Sequence, residues 1–241
     1  NGEQTYLIDG GSTSEKEIGK YRIAKMLKYY GRDEVDGVFI THGDEDHVNG
    51  IEELAERQEK EGITICQIIV PNLQRKEEGL QKFVQTVTAK KIPVAAMRKG
   101  QQIRSGNMQL RCLHPASEYE WEDANDCSLV FDLSYKNLSI LTTGDLGVHG
   151  EENSTFPRKR YDILKVGHHG SKNSSSEVFL QKCRPRYGFI SAGADNRYGH
   201  PAKETLQRLE NISCKNWNTA QKGALFAEYR RGQKRCWYFK H

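Results

Sequence analysis

The sequence predicts a layered, mixed α/β fold. Short apolar runs bounded by Gly and Pro alternate with apolar residues recurring at helical spacing, and His- and Asp-rich clusters directly follow several of the runs. Thr5 to Asp9 is such a run, ended by Gly10-Gly11 as a strand feeding a loop should be. Ile23, Met26, Leu27 and Tyr30 share one helical face, and Gly31 follows as the stop. Val35 to Thr41 reads as a buried strand, and Ile51, Leu54 and Ala55 mark the next helix. Ile63 to Val70 is a strand closed by Pro71, and Leu80, Phe83, Val84 and Val87 give a third helix. From Ile92 to His114 short strands turn at Gly100 and Gly106. Ser128 to Tyr135 and Leu138 to Thr143 read as a hairpin around Lys136-Asn137. Asp162 to Gly167 and Tyr187 to Gly193 are further strands, with a short helix near Glu177 to Lys182 between them. Pro201 stands where a first-turn proline opens the helix of Leu206 and Leu209. Ala224 to Tyr229 and Cys236 to Phe239 close the chain as a hairpin. Strand order does not follow from this pattern.

At 241 residues, with apolar segments spread evenly, residues 1–241 are expected to form one domain, monomeric as such. A charged fraction of 28% and a mean hydropathy of -0.77 describe a soluble protein. No run approaches the roughly 18 apolar residues of a membrane span. The net charge of +4 permits a nucleic-acid partner without demanding one. The six cysteines are scattered, mostly in apolar runs and without a CxxC pair, which argues for buried free thiols over a zinc ribbon or disulfide framework. The start at Asn1-Gly2, without Met and close to the first strand, reads as an excerpt of a longer chain.

Four clusters carry the chemistry. Thr41-His42-Gly43-Asp44-Glu45-Asp46-His47 follows a strand directly and places His42, Asp44, Asp46 and His47 within six residues. Imidazole and carboxylate bind divalent cations, and a loop at a strand end can converge them on one point. Helix caps would explain one or two of the acids, but not two bracketing histidines. Gly144-Asp145 ends the strand at Leu138 to Thr143, a place where Asp also serves simply as a turn residue. Gly167-His168-His169-Gly170-Ser171 forms a tight loop after another strand. Asn196-Arg197-Tyr198-Gly199-His200-Pro201 is a polar loop in which His200 either reaches a site or caps the following helix.

The order Leu7-Ile8-Asp9-Gly10-Gly11, His42-x-Asp44-x-Asp46-His47, Gly144-Asp145 and His168-His169 resembles the metallo-β-lactamase superfamily. Its usual first motif is HxHxDH, and here Asp44 replaces the second histidine. Asn125-Asp126-x-Ser128-Leu129-Val130, His168-His169-Gly170-Ser171 and Tyr198-Gly199-His200-Pro201 look specifically like the C-terminal domain of ComEC competence proteins. The likeness runs to Thr219–Leu225 in the closing hairpin, and Asn49-Gly50 stands where that family more often shows Gly-Gly.

The resemblance implies an αββα sandwich of two mixed sheets with helices outside. It implies two divalent metal ions: His42 and Asp44 on one, Asp46, His47 and His168 on the other, and Asp145 bridging. The superfamily's third histidine falls near Asn125, so oxygen donors replace imidazole, which favours Mn2+ with Zn2+ possible. Such a pair, about 3.5–4 Å apart, activates water and stabilises phosphoryl charge. Asp46 would orient that water, His169 or His200 would protonate the leaving alkoxide, and Ser171 or Asn196 would grip a phosphate oxygen. The implied substrate is DNA, held by its phosphate backbone without base reading and cut as the non-transforming strand during uptake. The implied setting is an extracytoplasmic domain attached to a membrane channel in a bacterial plasma-membrane protein. The basic runs at 157–160 and 229–235 could track the DNA. Two other functions compete: hydrolysis of a small phosphodiester, lactone or thioester, and DNA binding without cutting.

Overall fold

The structure, a computed structural model, describes residues 4–116, 121, 123–194 and 196–239. It divides into two compact units, Asn1–Arg98 with Ser117–Leu129, and Lys99–Ala116 with Val130–His241.

The first unit carries strands β1 (Tyr6–Ile8), β2 (Glu34–Val35), β3 (Gly37–Phe39), β4 (Thr64–Ile65), β5 (Ile68–Pro71) and β6 (Val94–Met97). Its helices are α1 (Lys25–Tyr29), entered through a π-helical turn at Gly19–Ala24, then α2 (Glu45–Glu56), α3 (Gln58–Glu61) and α4 (Glu78–Ala89). A four-stranded parallel sheet runs β1-β3-β5-β6, while β2 and β4 form a separate parallel pair. Parallel neighbours bring their C-terminal ends to one edge, so Asp9 and the Thr41–His47 loop leave the sheet side by side.

The core explains these choices. Val48, Ile51, Leu54 and Ala55 recur at helical spacing and bury one face of α2 against Val38, Ile40 and Ile68. The run expected as one strand from Val35 to Thr41 is interrupted at Asp36, whose carboxylate accepts the Thr5 N–H at 2.7 Å. The run from Ile63 likewise divides between β4 and β5. Ile23 and Leu27 are buried as the pattern suggests, but Met26 and Tyr30 are 46% and 55% exposed. The π turn widens the helix there, so a 3.6-residue period misassigns the inner face.

The second unit carries β7 (Gln102–Ser105), β8 (Met108–His114), β9 (Val130–Tyr135), β10 (Leu138–Thr142), β11 (Ile163–Lys165), β12 (Tyr187–Ile190) and β13 (Lys215–Asn218). They form a seven-stranded mixed sheet in the order β13-β12-β11-β10-β9-β8-β7. β7 to β10 make an antiparallel meander, and β10 to β13 run parallel. The helices α5 (Val148–Asn153), α6 (Glu177–Cys183), α7 (Lys203–Asn211) and α8 (Thr219–Lys222) connect them, over a core that includes Leu141, Leu164, Phe179, Ile190 and Leu209. Pro201 precedes α7 by two residues instead of opening it, because Ala202 is the N-cap. A separate hairpin, β14 (Ala224–Arg230) and β15 (Gln233–Phe239), sets Tyr229 against Tyr135 and Tyr238 against Trp217.

All six cysteines are free. Four are buried, whereas Cys66 is exposed and Cys236 half-buried. Among the described residues no helix is long and apolar enough to cross a membrane.

Candidate metal centre

In the first unit the site begins with Asp9, directly after β1. Its carboxylate accepts the Thr41 backbone N–H at 2.7 Å and the Thr41 hydroxyl at 2.8 Å. The same carboxylate lies 2.8 Å from Nδ1 of His47, in the first turn of α2. Thr41 Oγ1 is in turn 3.0 Å from Nδ1 of His42. Both imidazoles are buried, with ring centroids 4.1 Å apart. Fixing Nδ1 through a carboxylate or hydroxyl leaves Nε2 as the coordinating nitrogen, the usual outer shell of a metal-binding histidine. Asp44 Oδ2 stands 3.4 Å from His42 Nε2. The hydrogen bond and charge of His42 hold the Asp44 carboxyl below its ordinary range. Burial pushes Asp9 up, but the charge and hydrogen bond of His47 outweigh it and leave Asp9 below the usual carboxylate value. Asp46 lies half-buried in the first turn of α2, one residue from His47.

Close packing holds this loop in place. A Cβ at Gly43 would collide with the backbone N of Leu80 and the carboxylate of Glu77, which itself caps α4 by accepting from Gly79 and Leu80. A Cβ at Gly11 would lie 2.6 Å from the carbonyl carbon of Asp46. Asn49, where the resembling family more often has Gly, accepts from the Ser12 N–H and donates to the Ser12 carbonyl, tying the loop after β1 to α2. Asn125 opens a short 3-10 turn at Asn125–Cys127.

In the second unit Asp145 follows β10 and is buried. His169 Nε2 is 3.3 Å from its carboxylate, His168 Nε2 is 4.0 Å away, and Lys165 Nζ is 3.9 Å away. Nδ1 of His169 donates to the Ser191 carbonyl at 2.7 Å, which directs Nε2 toward Asp145. Both histidines have left-handed backbones, with φ of 45° at His168 and 53° at His169, and such local strain gathers at functional sites. His200 joins the group, its ring 5.8 Å from that of His168 and stacked on Tyr198. Burial, and then the charges of His168 and His169, depress its pKa.

Asn196 and Ser171, expected at the substrate, make local hydrogen bonds in this structure. The Asn196 amide donates to the Gly193 and His200 carbonyls and accepts the His200 N–H, so it holds the loop that carries His200. Ser171 is buried, and its hydroxyl accepts the Asn173 N–H. Three residues without an assigned role in the sequence belong here: Asp9, Thr41 and Lys165. Asp9 ends a strand inside a noted motif, and Lys165 is a lone charge in the apolar run Ile163–Val166.

Imidazole nitrogens and carboxylate oxygens on buried, pre-oriented side chains are a donor set that fits divalent cations.

Residues 1–95 match the family described as the metallo-beta-lactamase superfamily. The chain is 30% identical over 238 residues to ComE operon protein 3 of Bacillus subtilis, covering 93% of this chain and 30% of that protein. It is 27% identical over 219 residues to Recombination protein 2 of Haemophilus influenzae, covering 90% of this chain and 24% of that one. The chain thus spans under a third of either relative. Among solved structures, the metallo-beta-lactamase fold protein YhfI from Bacillus subtilis superposes with a TM-score of 0.53 at 12% identity, covering 90% of this chain and 85% of that one. The chain has the metallo-β-lactamase fold; along nearly its whole length it resembles one segment of ComE operon protein 3 and of Recombination protein 2, and over 45% of its length, at 37% identity, 16% of Competence protein ComA of Neisseria gonorrhoeae.

Proposed function

We propose that the chain is a metal-dependent phosphodiesterase that cuts DNA, and that His42, Asp44, Asp46, His47, Asp145 and the His168–His169 pair hold two divalent cations. The observation that carries this reading is the Asp9–Thr41 network, which fixes Nδ1 of two buried histidines, His42 before α2 and His47 in its first turn. Bound cations would supply Lewis acidity to a phosphoryl group and its attacking water. The oxygen-rich donors, with Asp44 in place of a histidine and an amide at Asn125, favour Mn2+ over Zn2+.

The chain's own residues do the remaining work. Asp46 accepts a hydrogen bond from the attacking water and aligns it. His169, fixed by the Ser191 carbonyl beside Asp145, serves as a ligand, and His168 shares the open side of that loop with His200. His200, held by Asn196, passes a proton to the leaving alkoxide. The similarity to competence proteins supports DNA as the substrate, and degradation of the strand not taken up as the physiological task. A membrane-embedded parent protein, with this domain on its outer face, fits the same resemblance.

The test is cleavage of end-labelled single- and double-stranded DNA across metals, with Asp145→Ala as the blank. Sequence-independent cutting, faster with Mn2+ than with Zn2+, is expected. No cleavage with Mn2+, alongside turnover of a small ester or lactone, would replace DNA by a small substrate. Binding without any hydrolysis would leave a DNA-binding module.

A further inference from the structure

The four parallel strands of the second unit follow one rule. Three of them lead to the residues just described, with Asp145 after β10, His168 and His169 after β11, and His200 in the loop after β12. Their N-terminal ends are preceded or opened by cations: Lys136 before β10, Arg158, Lys159 and Arg160 before β11, Arg184 and Arg186 before β12, and Lys215 at the first position of β13. The two ends of this half-sheet therefore differ in chemistry, one ligating and one basic.

The basic end contains a groove of about 1020 Å³ between the Arg158–Arg160 segment and the outer face of α6. Arg158, Lys159, Arg160, Lys182 and Arg184 line it, and Glu177 is the one carboxylate among its lining residues. The chain as a whole has 36 basic and 32 acidic residues, so five to one is a local concentration, not a property of the surface. Lys159 pairs at 2.6 Å with Asp132, a carboxylate it shares with Arg111, whereas Arg158, Arg160, Lys182 and Arg184 form no salt bridge among the described residues. A second basic run comes to the same end of the sheet from some seventy residues away. Lys234 of β15 contacts both oxygens of the Asp162 carboxylate at 2.8 Å, and Asp162 immediately precedes β11. Lys136 lies over the rings of Tyr135 and Tyr229, beside the Arg230-Arg231 turn of that hairpin. Holding more cations together than carboxylates disfavours the fold through self-repulsion, and a bound polyanion relieves it.

The geometry points to a second DNA-binding site: the N-terminal end of β10–β13, centred on the Arg158–Lys182 groove, holds the phosphate backbone of a nucleic-acid strand away from the hydrolytic edge. The groove lies before the start of β11 and the His168–His169 loop after its end, so a phosphate in the groove is separated from the bond being cut by the length of that strand. The site therefore selects long substrates and does not touch the reacting phosphate. This rests on the DNA reading above.

The test uses the triple variant Arg158→Ser, Arg160→Ser, Lys182→Ser, which leaves Lys159 on Asp132 and Lys234 on Asp162 intact. Affinity for a fluorescent 20-nucleotide strand, measured by anisotropy without metal, should fall about tenfold. The slope of log affinity against log salt should shrink by about 2, near 0.7 per lost single-strand contact. Hydrolysis of bis(p-nitrophenyl) phosphate and of a trinucleotide should stay at the wild-type rate. Wild-type cleavage of long DNA together with unchanged affinity and salt slope in the triple variant would overturn the groove alone. A variant that keeps DNA affinity but loses binding to phosphatidylglycerol vesicles would overturn it in favour of an acidic lipid surface. A wild-type protein that neither binds nor cuts DNA would overturn both readings.

Discussion

Oδ2 of Asp9 lies 2.8 Å from Nδ1 of His47, across 38 residues of sequence, and the same carboxylate holds Thr41. One buried acid thus sets the ring orientation of one histidine directly and of His42 through a hydroxyl. Asp9→Asn should weaken metal binding about 10–100-fold, the usual effect of losing an outer-shell carboxylate, while the fold remains. Calorimetric metal titration with circular dichroism as the fold control checks it. Wild-type affinity in the variant would remove Asp9 from the site.

The two adjacent histidines should separate in their effects. His169→Ala should remove about one equivalent of bound metal, because His169 Nε2 is the nitrogen nearest Asp145. His168→Ala should retain more metal than His169→Ala. Elemental analysis after reconstitution decides between them, and the opposite order would make His168 the principal ligand of the pair.

Asp145→Ala and Asp46→Asn should abolish hydrolysis. Asp145 is buried against Lys165 and the histidines, and Asp46 is half-buried beside His47. Neither side chain fills an apolar core position, so far-ultraviolet circular dichroism should match the wild type. Activity within tenfold of wild type in either variant would exclude it from the chemistry.

Gly43→Ala should destabilise the first unit by about 1–3 kcal/mol, as overpacking against fixed backbone does. The new methyl group meets Leu80 N and the Glu77 carboxylate that caps α4. Urea denaturation measures the loss, and an unchanged midpoint would show that α4 yields without cost.

Asp162 gives a pH-dependent test. Burial pushes its carboxyl up, but Lys234 and Ser139 outweigh this and leave its pKa lowered in the folded protein. A lowered folded value means that the stabilisation is complete above the unfolded pKa of about 3.9 and is lost as pH falls through the folded value. Asp162→Asn should therefore cost about 1–2 kcal/mol near neutral pH, and the two proteins should converge in acid. Parallel denaturation curves at pH 7 and in acid check this, and a constant gap would refute the charge argument.

The loops that carry ligands are legible in the sequence because each is short and follows an apolar run, so His42 to His47 and His168-His169 announce themselves locally. Asp9 is harder to read, since its partners lie 32 and 38 residues away and only strand pairing brings them together. The local hydrogen bonds of Asn196 and Ser171 are hidden for a related reason. An exposed polar loop and a loop whose polar groups satisfy one another have the same composition. Strand limits fail where a residue such as Asp36 serves the backbone of a neighbouring strand. Strand order is a property of long-range pairing, to which local periodicity is blind.

The β14–β15 hairpin has its own two-stranded sheet, and a lone pair of strands is marginal in water. Its order depends on where it sits: Tyr229 on Tyr135, Tyr238 on Trp217, and Lys234 on Asp162. Its amides should therefore exchange with deuterium through local detachment, well before those of β9–β12, and Tyr238→Ala, which removes the hairpin's side of the contact with Trp217, should hasten that exchange without lowering the melting temperature of the sheet. The hairpin is then a gauge of occupancy at the basic end of the unit, since any strand bound across Arg230 and Arg231 should slow its exchange and leave the central sheet unaffected.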